Sequence, residues 1–186
     1  MSQYHYSPLL LPGPDSIRLL RIIPDENDAA PIQCRLFNYT LKETSKGTHL
    51  YEALSYVWGG SDKPCSIFIG NLRLPVTANL HAALSRLRDH LLERIIWIDA
   101  VCIDQGNIKE RSHQIQVMAK IYSRASRVIV WLGETADESD RAVEEIRAAA
   151  GRQSTYSPTQ EMLSQAILTL LRRPWFRRIW VREQLI

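Results

Sequence analysis

The sequence predicts an α/β protein: a mainly parallel sheet flanked by helices, with an extra N-terminal β-hairpin region. Two observations support this prediction. Apolar residues recur with a period of two as far as Val76, and the first helical period begins at Thr77. Beyond that point strand-like runs alternate with helical segments, and such alternation is typical of parallel strands joined by right-handed crossovers.

The N-terminal part of the chain is predicted to form strands. Residues 1–16 are rich in proline and are expected to be an irregular arm before a domain over 17–186. The segments "SIRLLRII" and "PIQCRLFNYTL" should pair, with Ile32, Cys34 and Leu36 pointing inward. "LYEALSYVWGG" predicts a third strand, and "CSIFIGNLRLPV" predicts a hairpin that turns at Gly70-Asn71.

The C-terminal part alternates helices with buried strands. One helix begins after Thr77, its predicted N-cap, and another covers 108–124. The runs "RIIWIDAVCI" and "RVIVWLG" are expected to be central strands covered on both faces. An exposed helix over 139–150 and another over 158–172 follow; Pro174 ends the latter and "WFRRIWVREQLI" starts a last one. The apolar spacing predicts the buried stripes of the first two helices: Leu80, Leu84, Leu87 and Leu91 in one, and Ile108, Ile115, Met118, Ala119 and Tyr122 in the other.

Composition excludes several classes of protein. With 45% hydrophobic and 23% charged residues, the 186-residue chain fits one folded domain better than a disordered segment. The net charge of +3 does not indicate a nucleic-acid partner, and no nucleic-acid-binding signature is present. The three cysteines are widely spaced, so they predict neither a disulfide framework nor a metal site. Neither a membrane span nor a secretory signal is recognisable, and we expect a cytoplasmic protein without a membrane partner.

Polar residues follow the three expected central strands, and open α/β sheets bind ligands beyond the carboxyl ends of their strands. These residues are Ser55, Tyr56, Asp99, Asp104, Gln105 and Glu134. Asp99 follows "IIWI" directly, so it should be half-buried and should need a partner, for which Arg111 is a candidate. Asp104 or Asn107 can contact a ligand or cap the helix at residue 108, and for Asn107 capping is the favoured role.

Three other features have simple structural explanations. Cys102 lies among apolar residues with no histidine near it in sequence, so a buried inert thiol is favoured over a nucleophile. His113 is expected on the solvent face of its helix. The Gly59-Gly60 pair permits close approach of a ligand, but a tight turn explains it equally well.

Four segments occur in the order found in one protein family: "YEALSYVWG", "LPVTANLHAALSRLR", "IIWIDAVCIDQGNIKERSHQIQVMAKIYSRASRVIVWLG" and "PWFRRIWVREQL". On these segments the chain closely resembles the HET domain, the heterokaryon-incompatibility module of filamentous fungi, over residues 17–186. HET domains are implicated in the cell death that follows fusion of incompatible strains, and they have been likened to TIR domains. The resemblance implies a TIR-like (flavodoxin-like) fold and an effector role in fungal incompatibility and innate immunity.

The likeness to TIR domains implies chemistry on NAD. Enzymatic TIR domains cleave the bond between nicotinamide and ribose, and a glutamate in a Trp-x-x-x-Glu helix is essential. NAD is then the substrate, and no cofactor is implied. A carboxylate near the ribose stabilises the positive charge that develops as nicotinamide leaves. A second protomer often completes the TIR site, so activation by homo-oligomerisation, under an upstream sensor, is expected.

The resemblance also assigns functional positions. Counting from Trp180, the catalytic glutamate position is Gln184, with Glu183 before it, whereas the usual HET order is Trp-x-x-Gln-Glu. The residues that the resemblance places on the substrate are Ser55, Tyr56, Trp58 and Gly59 on the ribose and nicotinamide side, with Asp99 and Asp104 at the neighbouring strand end.

The glutamine at position 184 has three explanations. Glu183 serves instead, although one residue turns a side chain by about 100° around a helix. The chain is a natural non-enzymatic member of the family. Or Gln184 is an introduced, nearly isosteric replacement that silences a toxic enzyme, which is the hypothesis we favour. HET domains usually run further, which leaves open a C-terminal truncation after Ile186 that removes the last strand of the sheet.

A non-enzymatic adaptor is the alternative to an enzyme. The same fold would then serve as a homotypic interaction surface, with Trp58, Trp175 and Phe176 exposed for the interface. A nucleotide-sized cleft with converging polar groups at the strand ends favours the enzyme, which we prefer. A closed crevice beside a large apolar patch favours the adaptor.

Overall fold

The computed structural model describes most of the chain: residues 2–7, 9, 13, 15–41, 50–135, 140, 142–144, 146–147 and 160–177. The chain divides into two compact units, Met1–Trp131 and Leu132–Ile186. The sheet lies in the first unit. Within the described residues, no helix is both long and apolar enough to cross a membrane.

The first two strands pair as the sequence predicts. β1 (Ser16–Ile22) and β2 (Gln33–Thr40) are antiparallel, and all seven residues of β1 have partners on β2. Ile32 and Cys34 are buried as expected, and Leu36 is half-buried. Nearly every residue of β1 is buried, as expected for a strand with neighbours on both sides.

A second hairpin follows the third strand. β3 is Glu52–Tyr56, and β4 (Cys65–Ile69) and β5 (Leu72–Val76) are antiparallel to each other. Gly70 turns the chain between them with a φ angle of 60°, which glycine adopts at little steric cost. The hairpin predicted at Gly70-Asn71 is confirmed.

Helix α1 (Ala78–Leu87) begins where the period of the sequence changes. The Thr77 hydroxyl accepts a hydrogen bond from the Leu80 N–H at 3.3 Å, so the predicted N-cap is confirmed. Leu80 and Leu84 are buried as predicted. Leu91 is not part of this stripe, because the helix ends before it and its side chain is 75% exposed.

The apolar run "RIIWIDAVCI" is not one strand. β6 covers only Arg94–Trp97, and a single helical turn, α2 (Asp99–Cys102), follows it. The Ile98 carbonyl accepts the Cys102 N–H at 2.7 Å and so turns the chain. Residues 96–99 and 101–103 are buried, and the other three residues of the run are half-buried. Apolar content alone cannot distinguish a buried strand from a buried helical turn.

Helix α3 (Ile108–Arg124) has the predicted bounds but only part of the predicted buried face. Tyr122 is buried as predicted and Met118 is half-buried, whereas Ile108, Ile115 and Ala119 are exposed. Gln114 and Ile121 are buried without having been predicted. Hydrogen bonds to the sheet account for the difference. Gln114 Nε2 donates to the carbonyl of Ser16 at 2.8 Å, and the Tyr122 hydroxyl donates to the carbonyl of Leu54 at 3.1 Å. The orientation of α3 therefore follows its polar anchors as well as its apolar residues.

The sheet is mixed, so the prediction of a mainly parallel sheet is wrong. The seven described strands lie in the order β5-β4-β2-β1-β6-β3-β7, where β7 is Arg127–Trp131. The pairs β5-β4, β2-β1 and β1-β6 are antiparallel, and the pairs β4-β2, β6-β3 and β3-β7 are parallel. Short hairpin connections force antiparallel pairing, and β1 then inserts beside β6 in the opposite direction. The α/β class and the parallel group β6-β3-β7 are as expected.

Strand β7 is not the central strand that the sequence suggests. It is the last strand in the described sheet, next to β3 alone. Val128 and Val130 are 45% and 41% exposed, so one face of β7 has little cover. A run of β-branched residues is therefore compatible with an edge position as well as a buried one.

The second unit contains a small apolar cluster. Its buried members are Ala142 and Leu170, and Leu132, Val143 and Phe176 pack against them. Residues 140, 142–144 and 146–147 are helical, and α4 covers Gln160–Leu171. A 3-10 turn at Pro174–Arg177 follows, which confirms that the helix ends before Pro174. The first two residues of the helix predicted over 158–172 and most of the predicted last helix lie outside the described residues.

Candidate functional site

The carboxyl ends of β6, β3 and β7 lie at the same edge of the sheet, because the three strands are parallel neighbours. "VWGG" follows β3, and "IDAVCIDQGN" follows β6. The third predicted segment, "LGE" after β7, belongs to the second unit, where Glu134 is exposed. The sequence therefore identified two loops that lie side by side.

Trp58 and Asp99 join these two loops. The indole N–H of Trp58 donates to Oδ2 of Asp99 at 3.0 Å, and Oδ1 of Asp99 accepts the N–H of Ala100 at 2.7 Å. Asp99 is 9% exposed, more buried than the sequence suggests, whereas the Trp58 side chain is 42% exposed. Arg111, the suggested partner of Asp99, is exposed. The pair presents an indole ring to solvent beside a nearly buried carboxylate.

Asn79 fixes the loop that carries Trp58. Its Nδ2 donates to the carbonyl of Val57 at 2.6 Å, and its Oδ1 accepts the indole N–H of Trp131 at 2.9 Å. The loop after β3 is thereby linked to the end of β7. Asn79 was not among the predicted site residues. An asparagine in the first turn of a helix is nevertheless a signal, because asparagine favours local polar contacts over helix interiors.

Gly59 continues the same loop in the left-handed region, with a φ angle of 80°. A side chain here would be strained, and its Cβ would stand 4.0 Å from Cβ of Asn79. Glycine is thus required by the turn itself. Close approach of a ligand remains a prediction for this position.

Ser55 and Tyr56 lie within β3 and are both buried. They are opposite Val130 and Trp131 of β7 in the strand register. Their assignment to the ribose and nicotinamide side stays a prediction. Trp58 and Asp99 are in direct contact. Ser55 and Tyr56 are the last two residues of β3, directly before the loop that carries Trp58.

Asp104 shapes the turn that leads into α3. Its Oδ1 accepts the N–H of Gly106 at 3.0 Å. Asn107 caps the helix, since its Oδ1 accepts the N–H of Glu110 at 3.1 Å, so the favoured capping role of Asn107 is confirmed. Gln105 turns back toward the site, and its Nε2 donates to the carbonyl of Asp99 at 2.8 Å. The residues after β6 therefore form one hydrogen-bonded segment.

The buried ion pair of Arg18 and Glu110 stabilises this segment. Arg18 on β1 is 4% exposed in its side chain and donates to both carboxylate oxygens of Glu110. Arg18 also donates to the carbonyl of Cys102 at 3.3 Å, and Glu110 accepts the N–H of Asp104 at 2.8 Å. The pair thus ties β1, α3 and the segment after α2 together. An arginine inside the apolar strand "SIRLLRII" is the signal that could have revealed it.

Comparison with known protein families identifies the family of this chain. The family model described as Heterokaryon incompatibility protein (HET) matches residues 51–183. The chain belongs to the HET family. It is 32% identical over 155 residues to a Neurospora crassa protein named "Heterokaryon incompatibility protein 6, OR allele". That alignment covers 76% of this HET chain and 22% of the relative, so the chain spans about a fifth of the relative's length. No solved structure matches it significantly.

Cys102 of the HET chain is a buried free thiol, as predicted. Burial raises its pKa to about 12, although the N–H of Ile98 donates to the sulfur at 3.4 Å. A thiol with this pKa is protonated at neutral pH and is therefore a poor nucleophile. His113 differs from its prediction: the side chain is half-buried, and Nε2 is buried without a hydrogen-bond partner in the described part of the chain.

The two positions assigned to catalysis in the HET chain, Glu183 and Gln184, lie outside the described residues. Trp180 lies outside them as well. In the second unit, Trp175 and Phe176 are half-buried, and their rings pack edge to face with centroids 5.0 Å apart.

Proposed function

We propose that this HET chain is the cell-death effector domain of a heterokaryon-incompatibility protein and acts as a TIR-like NAD glycohydrolase. The family match and the name of the Neurospora relative support the incompatibility role. The observation that carries the enzymatic proposal is the Trp58–Asp99 pair at the carboxyl ends of β3 and β6. Trp58 and Asp99 both lie within the residues that the family model matches.

The pair has the chemistry that a nucleotide requires. An indole ring that is 42% exposed offers a stacking surface for an aromatic base, and such stacking does not depend on the identity of the base. A carboxylate at a strand end is the group that accepts hydrogen bonds from ribose hydroxyls in dinucleotide sites. We therefore assign stacking to Trp58 and ribose binding to Asp99.

The proposed reaction is hydrolysis. The C–N bond between ribose and nicotinamide breaks, and nicotinamide leaves with the electron pair of that bond. The oxygen of water then bonds to the ribose carbon and releases a proton, which gives ADP-ribose. A carboxylate at position 184, where this chain has glutamine, would stabilise the positive ribose carbon in the transition state.

Self-association is proposed as the switch. The likeness of HET domains to TIR domains, whose site a second protomer often completes, supports this part of the proposal. In the proposed mechanism, a second protomer completes the site, under the control of an upstream sensor. Nicotinamide release per protomer should therefore rise with protein concentration, and full turnover in dilute monomer would exclude this part of the proposal.

The experiment that tests the function compares this chain with Gln184→Glu at high protein concentration, following nicotinamide release from NAD. We expect release only from Gln184→Glu. Adding Asp99→Asn to that variant should lower release at least tenfold, because the amide weakens the contact with the ribose hydroxyls. Asp28→Asn is the matched control, since the Asp28 side chain is 85% exposed and remote in sequence from the strand ends.

Two further outcomes separate the alternatives. Release of nicotinamide from the unchanged chain that is lost in Glu183→Gln would move the catalytic role to Glu183. If neither form releases nicotinamide while the protein still self-associates in sedimentation, the adaptor function replaces the enzymatic one. Of the three aromatic residues that the adaptor requires to be exposed, Trp58 is 42% exposed, whereas Trp175 and Phe176 are half-buried, so the described residues support the adaptor less.

A further inference from the structure

We propose that Tyr6, in the N-terminal arm, is a positioning residue that holds the helical turn α2 and thereby sets Asp99 against Trp58. The inference rests on the proposed function for its catalytic consequence, but its structural part does not. Tyr6 precedes the residues that the family model matches, so this role belongs to a part of the chain that the family match leaves out.

The last carbonyl groups of helix α2 have no donors within the helix. It consists of four residues, Asp99–Cys102, and the last carbonyls of a helix have no partners within it. Two distant side chains supply the missing donors. The Tyr6 hydroxyl donates to the carbonyl of Val101 at 2.9 Å, and Arg18 donates to the carbonyl of Cys102 at 3.3 Å. Both anchors come from the N-terminal part of the chain.

The arm itself is held in place on both sides of Tyr6. The Arg18 guanidinium lies 5.2 Å from the centroid of the Tyr6 ring, and another of its N–H groups donates to the carbonyl of Ser7 at 2.8 Å. The backbone N–H of Tyr4 donates to the carbonyl of Arg73 on β5 at 2.8 Å. Burial raises the pKa of Tyr6, so its hydroxyl keeps the donor proton at neutral pH. The arm therefore links β5 to α2.

Trp58 and Asp99 are anchored independently. Asn79 holds the loop of Trp58 through the carbonyl of Val57, whereas Tyr6 and Arg18 hold the turn of Asp99. Loss of the Tyr6 anchor would therefore move one partner and leave the other in place. The Trp58–Asp99 hydrogen bond reports this displacement directly.

Tyr6→Phe tests the proposal with a minimal change. It removes the hydroxyl and keeps the ring that packs on Arg18, so the variant is expected to fold. Tyr4→Phe is the matched control, because the Tyr4 ring packs edge-on against Tyr6 at 5.1 Å, and its hydroxyl has no hydrogen bond within the described residues. The readout is the indole N–H resonance of Trp58 in the ¹⁵N-labelled protein, assigned by its loss in Trp58→Phe.

Tyr6→Phe should shift this resonance and speed the exchange of its proton with solvent by about two- to tenfold, the range that corresponds to one hydrogen bond. Tyr4→Phe should leave both unchanged. An unchanged Trp58 resonance in Tyr6→Phe, or an equal change in Tyr4→Phe, would overturn the positioning role.

A kinetic measurement separates this inference from the proposed function. In the Gln184→Glu background, Tyr6→Phe should raise KM for NAD about two- to tenfold with little change in kcat, because Asp99 contributes to binding. An unchanged KM in an active protein would contradict the positioning role. A shifted resonance in a protein that never releases nicotinamide would support the positioning of Asp99 and refute the glycohydrolase.

Discussion

The indole N–H of Trp58 lies 3.0 Å from the carboxylate of Asp99 and joins the ends of two neighbouring parallel strands. One partner is exposed enough to meet a ligand, and the other is nearly buried. A buried carboxylate depends on its hydrogen-bond donors, so this bond contributes to stability as well as to the proposed site.

Trp58→Phe should therefore lower the free energy of unfolding by about 1–2 kcal/mol, because it removes a donor from a charged group with little access to water. Urea denaturation followed by circular dichroism measures the change. Trp131→Phe is the comparison, since the Trp131 indole donates to the neutral amide of Asn79 and its loss should cost less. Equal losses of unfolding free energy in the two variants would show that the carboxylate of Asp99 is no stronger an acceptor than the amide of Asn79.

The buried pair of Arg18 and Glu110 predicts a larger effect. Glu110→Ala leaves a guanidinium whose side chain is 4% exposed without its carboxylate, and breaking such a pair costs about 3–5 kcal/mol. Glu93→Ala is the matched control: Glu93 pairs with Arg21 at a half-exposed position, and its loss should cost less than about 1 kcal/mol. Similar unfolding midpoints for the two variants would contradict the structural role of the buried pair.

Two buried thiols predict a loss of stability at alkaline pH. Burial raises the pKa of Cys34 and Cys102 from the ordinary 9.0 to about 12. The unfolded chain therefore releases these protons first, so the stability is fully present below pH 9 and is lost as the pH rises toward 12. As the pH rises from 8 to 10, ionisation of each thiol in the unfolded chain should lower the free energy of unfolding by about 1 kcal/mol.

Guanidinium denaturation at the two pH values checks this prediction. The double variant Cys34→Ala and Cys102→Ala should lose less stability over the same interval, whatever its starting stability. An identical loss in the double variant would mean that other groups carry the alkaline dependence.

The turn between β4 and β5 requires a glycine at its first position. Gly70 has a φ angle of 60°, so Gly70→Ala should cost about 1–2 kcal/mol, although a Cβ would meet no neighbouring atom. Gly60→Ala is the control, because Gly60 has equal space and no positive φ angle. Thermal denaturation should show a lower Tm for Gly70→Ala alone, and equal Tm values would show that the backbone conformation carries no penalty.

The elements that the sequence predicted well are those set by local signals. A capping asparagine and a helical period gave the bounds of α3, and a Gly-Asn pair gave the second hairpin. The expectation that ligands bind beyond the carboxyl ends of the strands also identified the loops of Trp58 and Asp99, because parallel neighbouring strands end at the same edge of the sheet.

The features that escaped prediction depend on contacts far apart in the chain. No local period shows that β1 lies between β2 and β6 or that Gln114 faces the sheet. Nor does it show that Tyr6 donates to the carbonyl of Val101, since the two residues lie 95 positions apart in the chain. An arginine within an apolar strand was the one visible sign of the buried pair.

The position of β1 sets the boundary of the folding unit. The family match begins at residue 51, yet β1 (Ser16–Ile22) lies in the middle of the strand order, hydrogen-bonded to β6. A fragment cut at that boundary would open the edge of β6 and uncover the core residues that β1 buries, and open edges recruit other chains. The stretch that marks membership of the family is therefore shorter than the stretch that forms the sheet.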